Sequence, residues 1–168
     1  MNLLDATFAL FKMPELTSAV VAFLASFLLC IAVVFTKPWH GAFSMDTTDG
    51  IQKFHSAPTP RIGGIPIVFA LVMAWGKSSA EIQTLLAPIL FAGMPAFLFG
   101  IAEDLTKQIG VVQRLLATMA SGLLAWWITD YSLSRLDIWG VDLLMQFTLF
   151  SVMFTAFAVG GVANAVNI

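Results

Sequence analysis

The sequence predicts an all-α integral membrane protein of about five transmembrane helices, N-terminus outside and C-terminus cytoplasmic. Three observations lead to that fold class. Of the 168 residues, 59% are apolar and only 11% are charged, whereas an ordinary soluble domain is about a quarter charged. Mean hydropathy is +0.90. The apolar residues also fall in long uncharged blocks rather than in a periodic scatter, as a helix crossing lipid requires. The same composition excludes other classes. Low charge with 15 Phe and 5 Trp is the opposite of a disordered chain. A net charge of −2 creates no basic field for nucleic acid. The single cysteine, Cys30, lies inside an apolar run, so neither a disulfide framework nor a thiolate zinc site can form.

The spans follow in order. Crossing the hydrocarbon core as helix takes about 20 uncharged residues. Residues 16–36 supply the first span and 82–102 the third, each 21 residues long, and 143–166 the fifth. The second, 62–76, has only 15 uncharged residues and crosses by local thinning or through its Gly63-Gly64 lead-in. The fourth, about 112–129, needs Arg114 to extend towards the headgroups. Asp5 and Glu15 precede the first run and Lys12 is the only early cation, which does not match a cleavable signal peptide. Five spans place Lys37, Lys53, Arg61, Lys107 and Arg114 on one side, against Lys12, Lys77 and Arg135 on the other. The richer side is the cytoplasmic one.

Small residues spaced by four mark faces where helices can approach closely: Ala92, Ala96 and Gly100; Ala117, Ser121 and Ala125; Ala156, Gly160 and Asn164. Pro88 and Pro95 should kink the third span. Trp126, Trp127 and Tyr131 fit an aromatic belt at the outer interface.

Three polar clusters fall on the cytoplasmic side. The first loop holds Lys53, His55 and Arg61, two prolines one residue apart, and then Gly63-Gly64 at the start of span two. Glycines let backbone N–H groups come close to a ligand, and a helix N-terminus favours an anion. A phosphate is the natural guess, with an ordinary juxtamembrane connector as the plain alternative. The second cluster is Glu103-Asp104 at the end of span three. Carboxylates there oppose the helix dipole and call for a cation, which Lys107, Arg114 or a divalent metal could supply. Local ion pairs in a solvated loop are the alternative. The third is Asn164 and Asn167, two amides on one helix face, which either join helices or coordinate something polar. A phosphate cradle, an acid pair and two amides on one membrane face describe phosphoryl chemistry.

The residues themselves resemble a known family. His55-x-x-Pro-x-Pro-x-x-Gly-Gly, Gly-x-x-Glu-Asp over 100–104 and the terminal Asn-Ala-x-Asn resemble the polyprenyl-phosphate N-acetylhexosamine-1-phosphate transferases. That family includes the O-antigen-initiating enzymes and the phospho-MurNAc-pentapeptide translocases, and the wording around His55 is nearer the former. The resemblance implies transfer of a sugar-1-phosphate from a UDP-N-acetylhexosamine to undecaprenyl phosphate, releasing UMP. It also implies Mg2+ (or Mn2+), a bacterial cytoplasmic membrane and a possible homodimer.

By position, Asp104 matches the second acid of the family's aspartate pair and would orient or deprotonate the lipid phosphate or hold the metal. Glu103 stands where the first aspartate is usual, with a reach longer by a methylene. Lys53, His55 and Arg61 would contact phosphate or nucleotide, Gly63 and Gly64 would admit it, and Arg114 is near a basic position at the entry to span four. Asn164 and Asn167 would line the metal–pyrophosphate site. Thr47 stands where the family has an acid, flanked by Asp46 and Asp49. Family members are about twice as long, with about ten spans, so the resemblance implies an N-terminal half that is inactive alone. A non-catalytic scaffold or transporter subunit is the competing reading, in which the acids and amides pair helices or line an ion path.

Overall fold

A computed structural model describes residues 14–46 and 58–165. Its architecture is helical: α1 (Pro14–Phe35), α2 (Lys37–Ser44), α3 (Gly64–Lys77), α4 (Ala80–Ala92), α5 (Met94–Thr106), α6 (Val111–Thr129), α7 (Val141–Met145) and α8 (Thr148–Ala165). One two-residue ladder, β1 (Met45–Asp46) with β2 (Thr59–Pro60), is antiparallel and pairs Met45 with Pro60. Among the described residues, α1, α6 and α8 are long and apolar enough to cross a membrane. The pair α4 and α5 meets the same test together but is bent by 49°. Helix α3, with 14 residues, is apolar but short. The protein is therefore a multi-pass α-helical membrane protein.

The chain divides into two compact units, one holding the residues up to Ala87 with Asp104–Lys107, the other Pro88–Glu103 and the residues from Gln108. In the first, α1 packs along α3. Ser78, just after α3, donates to Ser18 in the first turns of α1 at 3.2 Å, so the two helices run in opposite directions. At the other end of α1 the chain turns sharply into α2, where Pro38 occupies the first turn, a position whose N–H has no helical partner anyway. His40 Nε2 lies 2.9 Å from the Val33 carbonyl and so caps the end of α1, where the last carbonyls would otherwise be orphaned. Its Nδ1 meets the hydroxyl of Ser44, which is fully buried.

The second unit is built on α6 against α8. Their contact face includes Gly122 of α6 against Ala156 and Val159 of α8, and Gly160 of α8 against Leu115, Thr118 and Met119 of α6. A Cβ on Gly122 would stand 2.9 Å from Ala156 Cα, and one on Gly160 would stand 2.8 Å from Met119 Cγ. The small-residue spacing anticipates this face, except that Gly122 belongs to it too. Gly100, expected on a similar face, has nothing within 4 Å of its Cβ position.

The bend of the third predicted span falls at Gly93. Pro95, at the second position of α5, has no N–H for the Phe91 carbonyl and its ring crowds that turn; Pro88 stays inside α4. The freed start of α5 is not left orphaned, because Ala96 N–H donates to Ser121 Oγ of α6 at 3.0 Å. The segment after α6 begins with Asp130 in the left-handed conformation (φ 58°). It then lies back along α8, with Leu133 N–H donating to Thr155 Oγ1 at 2.8 Å and Ser151 Oγ donating to the Leu133 carbonyl at 2.6 Å. Here the fifth predicted span, 143–166, divides into the short α7 and then α8. Tyr131 and Trp139 in this segment are almost fully exposed, as residues of an interfacial belt are.

Candidate functional site

Arg61 is held by its backbone before its side chain does anything. It follows β2 directly, and its N–H donates to the Ser44 carbonyl at 2.8 Å while its own carbonyl accepts from Gly63 N–H at 2.8 Å. From there Arg61 Nε reaches Asp104 Oδ1 at 3.4 Å, with the two side chains 28% and 24% exposed. Asp104 lies in the last turn of α5, where a carboxylate opposes the helix dipole, and the guanidinium supplies the cation that placement calls for. Lys107, a candidate partner for the acids, has another task. It closes α5 in the left-handed conformation (φ 56°) and its Nζ donates to the Met45 carbonyl at 2.8 Å, holding β1.

Gly63 and Gly64 stand at the N-terminus of α3, both exposed. Gly63 has an ordinary φ of −62°, and a Cβ at either position would meet nothing within 4 Å among the described residues. Neither turn geometry nor a neighbouring side chain therefore requires glycine here. What the missing Cβ atoms leave is open access to the first N–H groups of a helix, beside Arg61. Of these, Gly63 N–H goes to the Arg61 carbonyl and Ile65 N–H to the Ile62 carbonyl at 3.2 Å, and Pro66 has none, so Gly64 N–H and the helix dipole are what favour an anion.

Glu103 belongs to the second unit. Its Oε2 accepts from Arg114 Nη1 at 2.5 Å, with side chains 16% and 21% exposed. Arg114, in the first turns of α6, gives its carbonyl to Thr118 Oγ1 at 3.1 Å. Asn164 Nδ2 on α8 in turn donates to Thr118 Oγ1 at 3.3 Å and to the Gly160 carbonyl at 2.8 Å. Of the two roles open to Asn164, helix joining is the one these contacts perform. Lys53, His55 and Asn167 lie outside the described residues. Among the described residues, no group of three His, Cys, Asp or Glu is gathered as a metal site, and each of the two acids already faces an arginine.

The role of Arg61 as partner of Asp104 is not visible from spacing, since the two are separated by 43 positions. Ser44 and His40, which fix the backbone of Arg61, belong to none of the three polar clusters.

Comparison with known proteins adds an independent line. The pattern of Glycosyl transferase family 4 matches residues 86–168, about half of the chain. A phospho-N-acetylmuramoyl-pentapeptide-transferase of Desulfitobacterium hafniense is 32% identical over 127 residues, covering 67% of this chain and 37% of that protein. The protein of the same name from Clostridium perfringens strain 13 is 28% identical over 120 residues, covering 67% of this chain and 38% of the relative. The match thus spans little more than a third of the length of these curated relatives. No solved structure matches the chain. The relatives' name is that of the branch which the wording around His55 placed second, so the comparisons do not favour the O-antigen branch. Motif order, the Glu103-Asp104 pair at the end of α5 and the match across 86–168 agree: the chain belongs to glycosyl transferase family 4.

Proposed function

We propose that this chain serves the transfer of a sugar-1-phosphate from a UDP-N-acetylhexosamine to undecaprenyl phosphate, releasing UMP, at the cytoplasmic face of a bacterial inner membrane. One observation carries the reading: Gly63 and Gly64 are open and conformationally unnecessary at a helix N-terminus, beside an arginine that is ion-paired to the acid at the end of α5. An anion seated at this helix N-terminus takes charge-assisted hydrogen bonds from Arg61, roughly twice as strong as neutral ones. Asp104, next to that anion, orients the acceptor phosphate and takes its proton if it arrives protonated. The attacking phosphate oxygen then displaces UMP from the sugar-bearing phosphorus, so that positioning and charge do most of the work.

Mg2+, or Mn2+ in its place, belongs to the proposal as a companion of the substrate's phosphates. The described residues do not build a site for it on their own, and no step here passes through it. Magnesium is usually held by one or two carboxylates together with phosphate oxygens.

The relatives' name makes a phospho-N-acetylmuramoyl-pentapeptide the second candidate for the transferred group. The test is binding of UDP-N-acetylglucosamine and of UDP-N-acetylmuramoyl-pentapeptide to the chain in lipid nanodiscs. Binding of one nucleotide sugar that is lost in Arg61→Gln is expected. Failure of both to bind overturns the proposal.

A further inference from the structure

The family's paired acids suggest two equivalent carboxylates at the reacting phosphate, but here their surroundings differ. Successive residues on an α-helix point about 100° apart, and Glu103 and Asp104 go to different units. Asp104 meets Arg61, beside the open helix N-terminus. Glu103 meets Arg114 at 2.5 Å, and it is the less exposed of the two acids. From Arg114 the contacts run through Thr118 to Asn164. The extra methylene of Glu103 relative to an aspartate supplies reach in that direction. Arg114 also needs a tether, because its Nε is buried and meets no hydrogen-bond partner among the described residues, and the Glu103 carboxylate at Nη1 compensates its charge. Removing one partner of a poorly solvated pair strands the other.

We infer that the acid pair is divided in function: Glu103 is a positioning residue whose carboxylate is committed to holding Arg114, while Asp104 alone acts on the phosphate. This rests on the proposed transferase reading and assigns separate duties within it. Glu103 therefore acts through Arg114 and independently of Asp104.

Two double-mutant cycles on the chain in nanodiscs test the division, read by thermal unfolding and by affinity for UDP-N-acetylglucosamine. Glu103→Gln and Arg114→Gln should each lower the unfolding midpoint and each weaken binding roughly tenfold, within the range of coupled neighbours. The double variant should be no weaker than either single one. Glu103→Gln combined with Asp104→Asn should instead show the product of the two separate effects. Additivity with Arg114→Gln, or coupling with Asp104→Asn, overturns the inference. Should Glu103→Gln fail to fold, Glu103→Asp, which keeps the charge but shortens the reach, takes its place in both cycles. If the unaltered chain binds neither UDP-N-acetylglucosamine nor UDP-N-acetylmuramoyl-pentapeptide, the function proposed above fails, and the unfolding cycles still decide the pairing by themselves; if it binds the pentapeptide alone, that nucleotide is the probe in both cycles.

Discussion

Arg61 shows how one side chain is positioned by several other residues. Its N–H is fixed by Ser44, Ser44 by His40, and β1 by Lys107, so the guanidinium leaves a rigid backbone. The contact to Asp104 is about a quarter exposed on both sides, and such partly solvated pairs contribute at most about 1 kcal/mol to stability. Arg61→Gln should therefore leave the unfolding midpoint nearly unchanged, while weakening phosphate binding by about 1.5–3 kcal/mol, the size of a charged hydrogen bond. Calorimetric titration of the nucleotide sugar beside a thermal melt checks both halves. A large loss of stability with intact binding would make Arg61 a structural residue. The sequence offers Arg61 as a candidate for phosphate but conceals its partner Asp104, since a pair 43 positions apart exists only in the folded chain.

At the scale of the element, glycines of one residue type have opposite roles. Gly63 and Gly64 face open space at the start of α3. Alanine there should be neutral or stabilising by about 0.5–1 kcal/mol, because it loses less backbone entropy on folding, yet it should weaken anion binding. Thermal melts that rise while affinity falls are the expected pattern. At Gly122 and Gly160 the neighbouring helix is close, with Cβ positions 2.9 Å from Ala156 Cα and 2.8 Å from Met119 Cγ. Gly122→Ala should cost about 1–3 kcal/mol as an overpacked contact, and Gly160→Ala less if the flexible Met119 side chain moves aside. Gly100→Ala is the control, with nothing to meet, and should be silent. Melts of the three variants in one detergent separate these outcomes. Spacing by four anticipates the α6–α8 face, but gives Gly100 the same standing as Gly160; which small residue has a neighbour is a matter of packing.

For the whole molecule, the charge distribution predicts a direction across the membrane. With Cys30 replaced by serine, a cysteine introduced at Lys107 should be labelled by an impermeant maleimide only after the membrane is opened, and one at Arg135 in intact cells. Labelling in the reverse order would turn the topology over and place the Arg61–Asp104 pair on the outer face. The membrane class and the helical content were legible in the sequence by itself, because hydrocarbon demands uncharged helical stretches. Tertiary structure decided the rest. It placed the break of the third span at Gly93, where Pro95 frees a carbonyl and Ser121 takes up an orphan amide. It also sent two adjacent acids to two different arginines. Spacing along the chain reports which groups share a helix face, whereas charge pairing depends on which other helix arrives there, and only the folded packing brings Arg61 to Asp104 and Arg114 to Glu103.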